Sequence, residues 1–503
     1  MSEGRRARRR AAPSPPRAVS RGRRCAGPHG ARLRSAWTSA SWGSASRRAA
    51  LLLGLVAWAT SCQPARDPRP LNLVILLADD LGWADVGYHG GLPATPSIDA
   101  LAAQGLRLER FYSSGLCTPM RAALLTGYEP ARLGLAGSVV QPWSEAGLPQ
   151  DVPTLAERLR EAGYETALVG KWHLGHDRPE QLPRARGFEH FYGSLLGTVD
   201  YWEHTAQGAL DWQRDGRPLH ERGYSTELLG REAAQRILAR DAERPLFLYV
   251  AFGAPHRPLQ PPSPIPRRDA PAREYYRTVY RAMVESLDGE VGRILEALDE
   301  ARMADDTLVL FASDNGADAR FGDNGPLRGS KGSVFEGAIR VPAVLRLPGT
   351  LSAGALSDQV LRDYDLLPTL LAALGLDPGP SLSGEDFWRG LKEGSTRPRG
   401  PLFFEAGTLR GGHELGVLHG RWKLVRRSER GRDRDLLFDV EDDPSERVDR
   451  AASHPAVAAR LGRELSRWDS LQPQMGVEAA PPPGWRAPAD WAHWAERSRS
   501  LAR

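Results

Sequence analysis

Four stretches of the chain are almost continuously apolar, and each stops at a polar cluster. Leu71–Ala78 runs into Asp79 and Asp80, and Glu165–Val169 leads to Gly170-Lys171-Trp172-His173-Leu174-Gly175. Pro245–Phe252 delivers Ala254-Pro255-His256-Arg257-Pro258, and Thr307–Ala312 ends in Ser313-Asp314-Asn315-Gly316. An apolar run without polar alternation is the pattern of a parallel strand covered on both faces. Open sheets of such strands bind ligands in the crevice beyond their carboxyl ends, so this repetition predicts one crevice at one sheet edge.

Helical periodicity predicts helices over Ser97–Gly105, Val152–Ala162 and Tyr275–Ala304, the last with Met283, Leu287, Val291, Ile294 and Leu298 on one core-facing stripe. From about Pro401 the texture shifts to short strands, Leu402–Glu405, Glu414–Leu418, Trp422–Val425 and Leu436–Val440. A helix follows over Pro455–Trp468, with proline at its permitted first position. The expected organisation is a leader (1–62), an α/β body (70–400), a small antiparallel sheet with one helix (401–471) and a Pro/Trp-rich tail (472–503). The tail, with Trp485, Trp491 and Trp494, is either disordered or laid over the body.

Charge changes this picture in one respect. Thirteen Arg and one Glu give residues 1–48 a charge of +12, which leaves −7 from Ala49 onward, the difference from the whole-chain +5. The basic balance belongs to the leader, and no nucleic-acid partner follows from it. The leader meets the apolar stretch Ala49–Ala59, which is short for a membrane span, and then Thr60-Ser61-Cys62. This reads as an export signal with the form of a bacterial lipobox. We expect a periplasmic or cell-surface protein, lipid-anchored at Cys62 and otherwise free of the membrane. With the leader removed, Cys117 is the only thiol left free, and no internal disulfide is available.

The strand-end acids carry the first chemistry. Asp79 and Asp80 repel each other unless a cation neutralises them, and hard oxygen donors suit Ca²⁺ or Mg²⁺ better than zinc. In Ser113–Gly127, Thr118 as a helix cap and Pro119 at the first helical position put Cys117 at a helix N-terminus, which favours an anion. Arg121, one turn on, offers a donor fork suited to a tetrahedral oxyanion. From these residues alone, an activated thiol and an inert buried cysteine are equally open. Lys171 and His173 share one side of an extended segment. Glu336 and Arg340 read equally as an ion pair or as site residues.

Taken together, these segments resemble the signatures of the type I sulfatases. The matching stretches are Cys117-x-Pro119-x-Arg121, Gly170–Gly175 nearly verbatim, Leu327-Arg-Gly-Ser-Lys331 with Glu336–Pro342, and Leu437–Glu446. Gly187–Gly193 through Trp202 is similar to arylsulfatase B-like members, and the lipobox marks a bacterial one. The resemblance runs from about Leu71 to Glu446. Ala338 replaces a usual glycine, and Met120 stands where serine is frequent.

The resemblance implies an alkaline phosphatase-like α/β sandwich with a large, mostly parallel central sheet and a small C-terminal antiparallel sheet. It implies that a formylglycine-generating enzyme converts Cys117 to formylglycine. One calcium ion would be held by Asp79, Asp80, Asp314, Asn315 and residue 117. Arg121, Lys171 and Lys331 would stabilise the sulfuryl oxygens, His256 and Lys331 would assist the departing alcohol, and His173 would hold and deprotonate the second hydroxyl. A thiolate adduct with sulfate has no easy exit, whereas an aldehyde hydrate supplies one hydroxyl to attack and a second to expel sulfate. The implied substrate is a sulfated small molecule or saccharide. Two rivals are a phosphonate monoester or phosphodiester hydrolase of the same fold, and a catalytically silent surface lipoprotein that binds sulfated glycans. The presence of every expected site residue argues against the silent reading.

Overall fold

The computed structural model describes residues 70–267, 270–407, 413–429, 431–473 and 480–494. The leader and Cys62 lie outside the described residues.

The first apolar run forms β1 (Asn72–Ala78), buried throughout. Its pleat still sorts it in two: Leu73, Ile75 and Leu77 enter one core, while Val74, Leu76 and Ala78 enter the other. The same sheet contains β2 (Leu106–Leu108), β3 (Glu165–Lys171), β4 (His190–Ser194), β5 (Gln213–Arg214) and β6 (Arg217–Pro218). It is completed by β7 (Leu246–Ala251), β8 (Thr307–Ser313), β9 (Ala343–Arg346) and β10 (Ala355–Ser357). The spatial order is β10-β2-β9-β8-β1-β7-β3-β4-β5-β6. The central five strands, β8-β1-β7-β3-β4, are all parallel. The four predicted strands are therefore neighbours that point the same way. Ala78 pairs with Ser313 and Ala251 with Gly170, so their polar successors emerge at one level.

Helices cover both faces, as a sheet buried on both sides requires. Leu124 and Leu125 of α2 (Cys117–Thr126) and Leu155 and Leu159 of α3 (Leu155–Glu161) fill the first core. The second core takes Leu101 of α1 (Pro96–Gln104), Leu228 and Ile237 of α4 (Ser225–Leu238), and Met283, Leu287, Val291, Ile294 and Leu298 of α5 (Ala272–Glu300). α3 starts three residues later than its amphipathic pattern predicts because Thr154 stops it with a capping box. The Thr154 hydroxyl accepts Glu157 N–H at 3.1 Å, and the Glu157 carboxylate accepts Thr154 N–H at 2.6 Å.

The second sheet is the antiparallel meander β11 (Leu402–Gly407), β12 (His413–His419), β13 (Trp422–Glu429) and β14 (Arg432–Asp439). One face packs Val417, Leu424 and Leu437 on Leu461, Leu465 and Trp468 of the helix Pro455–Asp469. The other face sets Phe404, Val425 and Phe438 against Val334, Phe335 and Ile339. Buried Lys423 joins the two sheets' segments, at 2.9 Å from both Glu336 and Glu446. Glu336 and Arg340 thus belong to a structural network. Residues 480–494 of the tail lie over the body: Trp491 is fully buried, packs on Leu196 and Ala209, and donates its indole N–H to Ala206 O at 3.0 Å.

Candidate active site

Every site residue expected from the sequence comes to the carboxyl edge of the parallel strands or to the start of α2. Cys117 is 2% exposed at the head of that helix. Its Sγ lies 3.4 Å from Asp79 Oδ1 and 3.5 Å from Asn315 Oδ1, and Lys331 Nζ donates to it at 3.3 Å. Thr118 does not cap the helix. It sits on the second helical residue, where its hydroxyl donates to His173 O at 3.0 Å and accepts Val140 N–H at 3.1 Å. Tertiary partners have taken the oxygen that a cap would use.

The acids form a buried group laced with cations. Arg121 donates to Asp314 Oδ2 at 2.9 Å and stands 3.6 Å from Asp79 Oδ2, and Lys171 Nζ pairs with that same Asp79 oxygen. Asp80 Oδ1 accepts Lys331 Nζ at 2.6 Å and Asn315 Nδ2 at 2.7 Å, and Asp80 N–H donates to Asp314 Oδ1 at 3.1 Å. Ligand atoms of Asp79, Asp80, Cys117 and His256 all lie within 4.8 Å of one another. Asp314 joins this cluster through Asp80 N–H and Arg121, and Asn315 through Cys117 and Asp80. Asp80 (φ 65°) and His173 (φ 57°) occupy left-handed backbone, which costs a non-glycine residue on the order of 1 kcal/mol.

Electrostatics divide the two central acids. Burial raises Asp79, but Lys171, His256, Arg121 and Lys331 outweigh it and hold its carboxyl well below the usual range. Burial and the charge of Asp79 push Asp314 up to about 6, against Arg121 and Lys171. Burial, then Asp314 and Asp79, drive the Cys117 thiol well above its ordinary value. The activated thiolate that a helix N-terminus allows is therefore not what the site builds; burial, with the two carboxylates, overrules the helix. Burial, with Lys171 and Arg121, keeps His173 neutral. His173 Nε2 donates to Val140 O at 3.1 Å, and Nδ1 has no partner among the described residues. Burial and Lys331 lower His256 to about 4. Its Nδ1 donates to Arg257 O at 2.6 Å, so Nε2 presents a lone pair 3.7 Å from Asp80 Oδ2.

Those features fit a hard cation. The Asp79 and Asp80 carboxylates cluster with Cys117 and His256, Asp314 and the Asn315 amide are joined to them by hydrogen bonds, and the His256 Nε2 lone pair faces Asp80 Oδ2. Supporting residues come from segments to which the sequence gives no site role. The Tyr201 hydroxyl lies 2.6 Å from Gly253 O and 2.8 Å from His256 O and shares its proton between them, anchoring the His256 loop. The Tyr280 hydroxyl lies 2.9 Å from Asp80 O and 2.7 Å from Asp85 Oδ2. A Cβ on Gly197 would come within 2.3 Å of the His173 ring, so only glycine leaves that ring its place.

Comparison with known proteins agrees with this geometry. The family model described as Sulfatase matches residues 71–376, and that of N-sulphoglucosamine sulphohydrolase, C-terminal, matches 330–470. Arylsulfatase J of Mus musculus is 33% identical over 460 residues, 79% of this chain and 75% of that protein. N-acetylgalactosamine-6-sulfatase of Homo sapiens is 36% identical over 369 residues, 68% of this chain and 69% of that protein. The crystal structure of Ps i-CgsB in complex with k-i-k-neocarrahexaose superposes with a TM-score of 0.73 at 30% identity, covering 82% of this chain and 96% of that one. The fold is the alkaline phosphatase-like sandwich of sulfatase structures. The chain belongs to the type I sulfatase family and is a sulfuric ester hydrolase.

Proposed function

We propose that this sulfatase removes sulfate from a saccharide, using formylglycine at position 117 and one calcium ion held by Asp79, Asp80, Asp314, Asn315 and residue 117. The observation that carries the reading is the meeting of Lys331 Nζ, Asp79 Oδ1 and Asn315 Oδ1 around Cys117 Sγ at 3.3 to 3.5 Å. A saccharide substrate is supported by relatives whose names and titles specify a sulfated aminosugar or a bound carbohydrate.

The calcium ion, when bound, would act as a Lewis acid toward the sulfuryl oxygens. The formylglycine hydrate would supply an oxygen nucleophile where the thiol stands. This chain's own residues do the rest. Arg121, Lys171 and Lys331 bring fixed positive charge to a water-poor site, where preorganised cations stabilise a tetrahedral anion most strongly. Lys331 faces the departing oxygen with His256 beside it. Neutral His173, with Nδ1 unpartnered, is placed to hold a hydroxyl on residue 117 and take its proton.

The experiment is sulfate release from defined sulfated saccharides by protein co-expressed with a formylglycine-generating enzyme, alongside the peptide mass at residue 117. Faster turnover of an aryl phosphodiester than of an aryl sulfate would overturn the reading, as would a persistent unmodified thiol in active enzyme. Export and a lipid on Cys62 belong to the same proposal, and palmitate labelling that is lost in Cys62→Ala checks them.

A further inference from the structure

A cavity of about 830 Å³ opens from the reaction centre, with Lys331 on its wall. That is far larger than a sulfate head needs and lies within the range of sites that enclose whole small ligands, about 300–1,000 Å³. Its lining is unevenly charged. Lys331 is committed to Asp80, and Arg320 is held by the one acid present, Asp318, at 2.9 Å. Arg257 and Arg273 are exposed, and among the described residues neither makes a direct ion pair, though the charge of Arg257 helps Arg320 to hold the Asp318 carboxyl low. Arg257 directly follows His256, and its carbonyl holds that ring. Two aromatic rings complete the wall: Tyr276, 40% exposed, meets Phe321 edge-on at 5.9 Å.

We propose that Arg257 and Arg273 read a second anionic group on the substrate, a carboxylate or a further sulfate on the saccharide that carries the scissile ester. This rests on the saccharide reading above. A guanidinium fork matches the paired oxygens of either group, and cations in excess of the one acid lining a cleft concentrate polyanions there. The Tyr276–Phe321 wall offers an apolar face to the intervening sugar ring. Within this chain, Arg257 and Arg273 are specificity-determining residues, distinct from the groups around residue 117.

Two measurements test this. For turnover, the paired substrates are a singly sulfated hexosamine and a disaccharide with the same sulfated hexosamine next to a uronate. The Arg257→Ala/Arg273→Ala variant is expected to lose about tenfold or more in kcat/KM on the uronate disaccharide, mostly through KM, and little on the hexosamine. For binding without chemistry, Cys117→Ala protein is titrated with the uronate disaccharide by calorimetry, with and without the two arginine substitutions. The affinity is expected to fall by a similar factor and to weaken with salt. Equal affinity in that titration overturns the proposal whatever the turnover shows. Absence of sulfate release from every ester, with binding still dependent on the arginines, would sink the sulfatase reading alone.

Discussion

Arg121 and Asp314 form a 2.9 Å ion pair in which neither side chain is exposed. Breaking a buried pair leaves an unpaired charge, and here two carboxylates would lose one partner. Arg121→Ala is expected to cost about 3–5 kcal/mol in urea unfolding of the metal-free protein. Added calcium should recover part of that loss. An unchanged midpoint without calcium would show that the pair contributes nothing to stability.

The two acids that Arg121 touches differ in proton affinity, and this sets a pH dependence. Asp314 is raised from 3.8 to about 6 by burial and Asp79. Its contribution to stability is full below about 4 and is lost as pH rises through about 6. A cation needs the carboxylate, so calcium affinity should climb over that same interval and level off above about pH 7. Calorimetry in buffers of different ionisation enthalpy should find proton release at pH 5 and none at pH 8. Asp314→Asn should flatten the profile.

Gly197 leaves the His173 ring its place. Gly197→Ala is expected to displace the imidazole, the far end of a side chain, and break its bond to Val140 O while the backbone holds. Thermal stability should change little while kcat for sulfate release drops by about tenfold or more. Activity matching the parent would mean that His173 is not needed where it stands.

Trp491 is the anchor of the tail. Trp491→Ala removes a fully buried indole and its bond to Ala206, a loss of about 3–5 kcal/mol if the segment stays docked. Release of the segment would limit that cost. Hydrogen exchange over 480–494 and 205–210 should then rise together, and equal protection in both proteins would contradict the anchoring.

Much of this architecture was legible because the main signals are local. Buried strands announce themselves as apolar runs, and Asp79, Lys171 and Asp314 just after them, with His256 four residues past Phe252, mark the crevice they face. The protonation of the site was not legible, since it depends on Lys171, Arg121 and Asp314 arriving from separate segments. Thr118 reads as a cap because its alternative partners, His173 O and Val140 N–H, are distant in sequence. Tyr201 and Gly197 lie in a stretch marked only by resemblance and Tyr280 on a helix read as core, so their contacts with the site were not legible. The arginines of the large cavity had one faint signal, the placement of Arg257 next to His256. The tail's fate turned on whether a pocket existed for Trp491, which its own composition does not reveal.

Lys423 lies between Glu336, on the stretch that follows Lys331, and Glu446, beyond the last strand of the smaller sheet. A chain cut after residue 400 would take Lys423 from Glu336 and uncover Val334, Phe335 and Ile339, so the catalytic half is not expected to stand alone as an enzyme. Chimeras that exchange the C-terminal sheet between relatives must carry this lysine and both glutamates as one inheritance unit.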